Sequence, residues 1–93
     1  MTFAEFLGAK AEPSELSLPL RALWHDAQGN WDRAHTLAQE ADNRDGAWVH
    51  AYLHRKEGDE GNAGYWYVRA GRRAASGSLD AEREAIARAL LGE

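Results

Sequence analysis

Hydrophobic side chains recur at intervals of three and four residues along most of the chain, a period typical of helices with one buried face. Five interruptions divide this pattern, and the stretches between them predict five to six short helices. They span residues 2–9, 18–28, 31–42, 46–57, 60–73 and 79–91. Val and Ile together number three, and strands favour β-branched residues, so we predict an all-α fold.

Polar residues that commonly cap helices precede most of these stretches. Thr2, Ser17, Asn30 and Ser78 stand directly before helical periods, and Asp45 is expected to cap the fourth helix. We therefore predict one domain over residues 1–93. Its parts are an N-terminal helix and linker at 1–17, a first hairpin at 18–42, a second hairpin at 45–73 and a C-terminal helix at 78–92.

The two predicted hairpins are related by an internal repeat of 29 residues. QGNWDRAHTLAQEA at 28–41 matches EGDEGNAGYWYVRA at 57–70 at one glycine and two alanines, and the helix before each shares an alanine and a histidine. The matched pairs are Gly29 with Gly58, Ala34 with Ala63, Ala41 with Ala70, Ala22 with Ala51 and His25 with His54.

These landmarks resemble the tetratricopeptide repeat, in which small residues and a turn glycine let two helices pack closely. The resemblance covers residues 18–70, although the period is shorter than the usual 34 residues and no proline follows the second helix. The string HAYLHRKEGDEGNAGYWYVRAG is also similar to small bacterial proteins, and this second resemblance implies no activity.

By the repeat resemblance, Trp48, Tyr52 and Arg55 would line a concave groove. Trp, Tyr and Arg are enriched where proteins bind one another, whereas the alternative is ordinary core packing in a chain with little other core. Arg69 belongs to a small basic patch that can take a carboxylate or phosphate. The alternative for the patch is a solvated helix face.

The predicted fourth helix is apolar over most of its surface, so we expect it to be central. Its remaining strip carries His50, His54 and Glu57, which can hold one metal ion. The zinc-protease pattern H-E-x-x-H is absent because Ala51 takes the place of the general base. The alternative is a pair of histidines satisfied by hydrogen bonds within the protein.

His35 is a further candidate for this site, because packing of the third helix on the fourth would bring it near His50 or His54. With Glu57, Asp59 or Asn62 nearby, these groups would form a polar pocket suited to acid–base chemistry or ligand binding. The alternative is a structural polar network. No catalytic or metal motif is complete, so we predict no catalytic residue, no dedicated metal site and no cofactor.

The pKa values of the central histidines should respond to burial and to Glu57. We expect desolvation to lower the pKa of His54, and the neighbouring acid to matter more at His50. A histidine held neutral in the fold makes stability fall as the pH drops below about 6.5.

Composition narrows the function classes. The net charge of −4 opposes non-specific nucleic-acid binding, and no cysteine is available for a disulfide or a thiolate site. No stretch reads as a signal peptide or a membrane span, so we expect a cytoplasmic protein without nucleic-acid or membrane partners.

The repeat and the lack of a catalytic motif favour a module that binds a protein or peptide, or that associates with itself. The alternative is a small enzyme or ligand-binding protein that uses the His/Glu/Asn pocket, with a metal as one candidate ligand. Histidines that converge on a cavity would favour the alternative.

Overall fold

The computed structural model describes residues 1–93 and contains six α-helices and no strand, which confirms the predicted all-α class. The helices are α1 (Phe3–Gly8), α2 (Leu18–Ala27), α3 (Trp31–Glu40), α4 (Arg44–Lys56), α5 (Glu60–Ala70) and α6 (Leu79–Leu91). The longest have 13 residues, and none combines the length and apolar character that crossing a membrane requires.

Most helix starts fall where the capping residues predict them, and one does not. The side chains of Thr2, Ser17, Asn30 and Ser78 each accept a hydrogen bond from a backbone N–H in the first turn of the following helix. The prediction for α4 is wrong. Asn43 caps it instead of Asp45, and the helix starts at Arg44 because the Gly46 N–H donates to Asn43 Oδ1 at 2.7 Å.

Two helices end two or three residues earlier than the sequence predicts. α3 ends at Glu40, and α5 ends at Ala70 because Gly71 adopts a left-handed backbone with φ of 69°. A left-handed glycine just past the last turn is a common helix end. The arginines after Gly71 therefore lie in a connection and not on α5.

The turns of the two hairpins share one geometry. Gly29 has φ of 83° and Gly58 has φ of 89°, a region in which a side chain would be strained. In both turns the residue after the glycine donates its N–H to the carbonyl five residues earlier, at 2.9 Å. The six alanines related by the 29-residue period are all buried: Ala22, Ala34, Ala41, Ala51, Ala63 and Ala70.

The central position predicted for α4 is confirmed, since this helix packs against α2, α3, α5 and α6. Val49, Tyr52 and Leu53 of α4 are fully buried. They belong to a core cluster that also includes Phe6 of α1 and Ile86 of α6. The two hairpins, α2–α3 and α4–α5, meet where α3 packs on α4.

A buried carboxylate joins three helices beneath this core. Asp26 of α2 is only 2% exposed. It accepts hydrogen bonds from the Tyr52 hydroxyl at 2.6 Å and from Lys56 Nζ at 2.7 Å, and Arg83 of α6 lies 3.8 Å away. The negative charge of Asp26 is therefore compensated by two cations and one hydroxyl of the protein.

A second buried carboxylate, Glu82 of α6, makes a related network. It accepts from Arg55 of α4 at 2.9 Å and from the Tyr67 hydroxyl of α5. Arg55 also donates to the Gly77 carbonyl. These bonds fix α6 and the connection before it against the second hairpin.

The close backbone approach in this fold occurs at Gly46 and not at the glycines of α5. A Cβ added at Gly46 would lie 2.1 Å from the Ala41 carbonyl oxygen, whereas one added at Gly61 or Gly64 would meet nothing within 4 Å. The turn between α3 and α4 thus depends on a residue without a side chain. The weak helix propensity of α5 is offset by its packing against α4.

Candidate functional site

Three histidines converge where the two hairpins meet. His35 lies on α3, and His50 and His54 lie one turn apart on α4. Nε2 of His50 is 3.0 Å from Nε2 of His35, and one ring nitrogen from each of the three lies within 4.8 Å of the other two. The predicted proximity of His35 to the α4 histidines is therefore confirmed.

Two tryptophans form the walls of this cluster. The Trp31 ring stacks on His35 with centroids 4.8 Å apart, and Trp66 stacks on His50 at 3.9 Å. The Trp31 indole N–H donates to the Leu53 carbonyl at 2.9 Å, which fixes its orientation. His50 is 3% exposed and His54 is 6% exposed, so these two rings are shielded from bulk water, whereas His35 is half-buried.

Glu57 orients His54. Its Oε1 lies 2.5 Å from Nδ1 of His54, and the carboxylate is well placed because Glu57 is the C-cap of the same helix. A carboxylate can only accept here, so Nδ1 carries a proton, and in the neutral ring the lone pair is then on Nε2. The other nearby acid, Asp59, uses its side chain to cap α5 by accepting from the Asn62 N–H.

Burial favours the neutral form of His50 and of His35. Desolvation is the main cause that lowers the pKa of His50 to about 4, and charge repulsion from His35 and His54 acts in the same direction. Desolvation is also the main cause of a lowered pKa at His35. The sequence-based expectation that an acid would dominate at His50 is wrong, because Glu57 contacts His54 instead.

A cavity of about 260 Å³ opens beside His50, and we name it the histidine-side cavity. It lies between the end of α3, the start of α4 and one face of α5. Its lining residues are Ala38, Gln39, Ala41, Asp42, Asn43, Arg44, Ala47, His50, Trp66 and Arg69. The histidine cluster therefore has access to a ligand-sized space.

Arg69, predicted as part of a basic patch, and Asn62, predicted for the histidine pocket, lie in different places. Arg69 lines the histidine-side cavity. Asn62 is exposed, and its side chain makes no hydrogen bond within the protein. Asn62 therefore makes no hydrogen bond to the three histidines.

The residues predicted to line a concave groove separate into different environments. Tyr52 is fully buried and bonded to Asp26, which matches the core-packing alternative. Arg55 is committed to Glu82. Trp48 is half-buried, with the Arg72 guanidinium 3.8 Å from its ring centroid.

Trp48 lines a second cavity, of about 290 Å³, which we name the Trp48 groove. It runs between α4, α6 and the connection that precedes α6. Its lining residues are Trp48, Arg72, Arg73, Ala75, Gly77, Ser78, Ala81, Glu82 and Ala85. The groove is mostly apolar, with two arginines along it.

Sequence reasoning did not identify Trp31, Trp66 and Arg44 as parts of the site. One usable signal was present, since Trp31 and His35 are four residues apart on a helix and such residues are neighbours. The contacts of Trp66 and Arg44 depend on how separate helices pack.

Comparison with protein-family models, curated proteins and solved structures finds no match for this chain.

Proposed function

We propose that the protein binds one divalent transition-metal ion through His35, His50 and His54. The observation that carries this proposal is the convergence of three imidazoles, with one nitrogen of each within 4.8 Å of the others. Zinc–imidazole bonds are about 2.0–2.1 Å long, so two nitrogens of a tetrahedral site lie about 3.4 Å apart. Small movements of the rings would meet this requirement.

The surroundings of the histidines support ion binding. Metal-bound histidines usually donate their second N–H to a carboxylate or carbonyl, and Glu57 occupies that position at His54. The low pKa of His50 keeps its ring neutral at neutral pH, so one of its two nitrogens has a lone pair for the ion.

Three protein nitrogens leave a fourth coordination position for water or a ligand. His50 is both a ligand in this proposal and part of the lining of the histidine-side cavity. A molecule in the cavity would therefore lie beside the ion. An all-imidazole donor set favours Zn²⁺, Ni²⁺ or Cu²⁺ over Mg²⁺ and Ca²⁺.

Titration of metal-free protein with ZnCl₂ tests the proposal. At a free zinc concentration 100 times the Kd, the free energy of unfolding rises by about 2.7 kcal/mol. This corresponds to a rise in Tm of roughly 10–20 °C for a domain of this size. Calorimetry should give one ion per chain, and MgCl₂ should leave Tm unchanged. Co²⁺ should produce the visible absorption of a tetrahedral site.

Two histidine variants provide the matched comparison. His50→Gln is expected to abolish the zinc-induced rise in Tm. His25→Gln should keep it, because His25 pairs with Glu12 outside the cluster. Zinc binding that survives His50→Gln and disappears in Asp59→Asn would instead place the ion at a second group, His54, Glu57 and Asp59, and would refute the proposal.

A second candidate function is recognition of an apolar, acidic peptide in the Trp48 groove. The observation that favours it is the pairing of Trp48 with Arg72 along an apolar groove, since Trp and Arg dominate binding hot spots. The resemblance to tetratricopeptide repeats points to the same class of partner. A second copy of this chain is the other partner to test.

A peptide-display selection, followed by sedimentation of the protein alone, examines this candidate. We expect selected peptides rich in acidic and apolar residues, with binding lost in Arg72→Gln and retained in Arg33→Gln. Selection of no sequence above background, together with a monomer at all concentrations, would remove the candidate.

A further inference from the structure

We infer that the histidine-side cavity binds the carboxylate of a small organic acid, held by Arg44 and Arg69. The inference goes beyond metal binding. It rests on the cavity and its charges and requires no ion at the histidines.

The ionisable groups that line the cavity favour an anion. Arg44 and Arg69 supply two positive charges, and Asp42 is the single acid among the lining residues. This local excess is opposite in sign to the net charge of −4 for the whole chain. Neither arginine forms an ion pair, whereas Arg21, Arg55, Arg83 and Arg88 all do.

Arg69 is held in place by aromatic contacts instead of an acid. Its guanidinium lies 5.3 Å from the Trp66 ring centroid and 5.7 Å from that of Tyr65, and Nη1 donates to the Tyr65 hydroxyl at 3.1 Å. Trp66 is in turn stacked on His50. Arg69 is exposed, and its guanidinium has donors left over for a carboxylate, which it can bind through two parallel hydrogen bonds.

The size and walls of the cavity limit the body of the acid. A water molecule in the liquid takes about 30 Å³, so 260 Å³ accommodates a molecule of roughly ten non-hydrogen atoms. Three alanines supply apolar wall, and the Trp66 ring supplies a flat one. This combination suits a compact or aromatic carboxylate better than inorganic phosphate, which has no apolar part.

NMR titration of isotope-labelled protein, freed of metal and chelator by dialysis, tests the inference with sodium benzoate as the probe. Benzamide is the control of equal size without charge, and inorganic phosphate is the control of charge without an apolar body. Ionic strength is kept constant. We expect benzoate to shift the Trp66 indole signal saturably and to bind about tenfold or more tightly than either control.

Arginine variants place the site. Arg69→Gln and Arg44→Gln should each weaken benzoate binding about tenfold or more, since each removes a charged hydrogen-bond donor. Arg33→Gln should bind as the parent does, because Arg33 lies outside the cavity lining. An equal loss in Arg33→Gln would reduce the effect to general charge and overturn the inference.

Three other outcomes would contradict carboxylate binding in the histidine-side cavity, and one would separate it from the metal proposal. Benzamide binding as tightly as benzoate would show apolar burial alone, and phosphate binding more tightly would show an anion site without a place for an organic body. Absence of saturable benzoate binding would overturn the inference even if zinc binds. Benzoate binding in a protein that takes no zinc would support it while the metal proposal fails.

Discussion

Replacement of Asp26 by alanine is expected to lower the free energy of unfolding by about 3–5 kcal/mol. The carboxylate is 2% exposed and is bonded to Tyr52 and Lys56, with Arg83 close by. Its removal leaves the buried Tyr52 hydroxyl without its acceptor and takes away the anion that Lys56 and Arg83 are paired with. Total stabilities of small domains are about 5–15 kcal/mol, so this one change can remove a large part.

Urea unfolding followed by circular dichroism measures the loss. Asp80→Ala is the matched control, because Asp80 also pairs with Arg83, at 3.5 Å, but its side chain is 88% exposed. Exposed ion pairs contribute about 0–1 kcal/mol, and the control should stay within that range. A similar small loss in Asp26→Ala would show that the buried network contributes little to stability.

Acidification from pH 7 to pH 5 is expected to destabilise the metal-free protein by roughly 2 kcal/mol through His50. Burial holds the pKa of His50 at about 4 in the fold, whereas an unfolded histidine has a pKa of about 6.5. Below pH 6.5 the unfolded chain therefore takes up a proton that the folded chain does not. The stability is fully present above pH 6.5, falls as the pH drops, and levels off below about 4.

The groups that face His50 reinforce this direction. His35 on α3 and His54 on α4 oppose its protonation, and α5 presents the Trp66 ring. Thermal unfolding at pH 7, 6 and 5 in the presence of phenanthroline measures the effect. The decline should be shallower in His50→Gln and unchanged in His25→Gln. A His50→Gln profile that overlays the parent would show that His50 titrates as in an unfolded chain.

The helices could be predicted from sequence because their signals are local. Caps such as Ser17 and Asn30, the turn glycines and the periodic apolar stripes all act within one or two turns of chain. The start of α4 was not predicted correctly. Two candidate caps, Asn43 and Asp45, lie close together, and the approach of Gly46 to Ala41 is visible only in the fold.

The candidate site could be predicted in part for the same reason. The spacing of His50 and His54 placed them on one strip, and helix pairing brought His35 to them. Which histidine Glu57 faces depends on side-chain rotamers at a helix end, and no sequence pattern predicts those rotamers. No local sequence pattern predicts that Asp26 is buried and paired, because its partner Lys56 is 30 residues away.

The position of the histidines between the two hairpins links binding to the cohesion of the whole chain. The first hairpin supplies His35 and the second supplies His50 and His54, so neither half contains the set. Any opening that separates α3 from α4 dismantles the site, and an occupant therefore opposes that opening by mass action. Under the metal proposal, amide hydrogen exchange would slow together in both halves, so that an ion at one junction makes two local folding units behave as one.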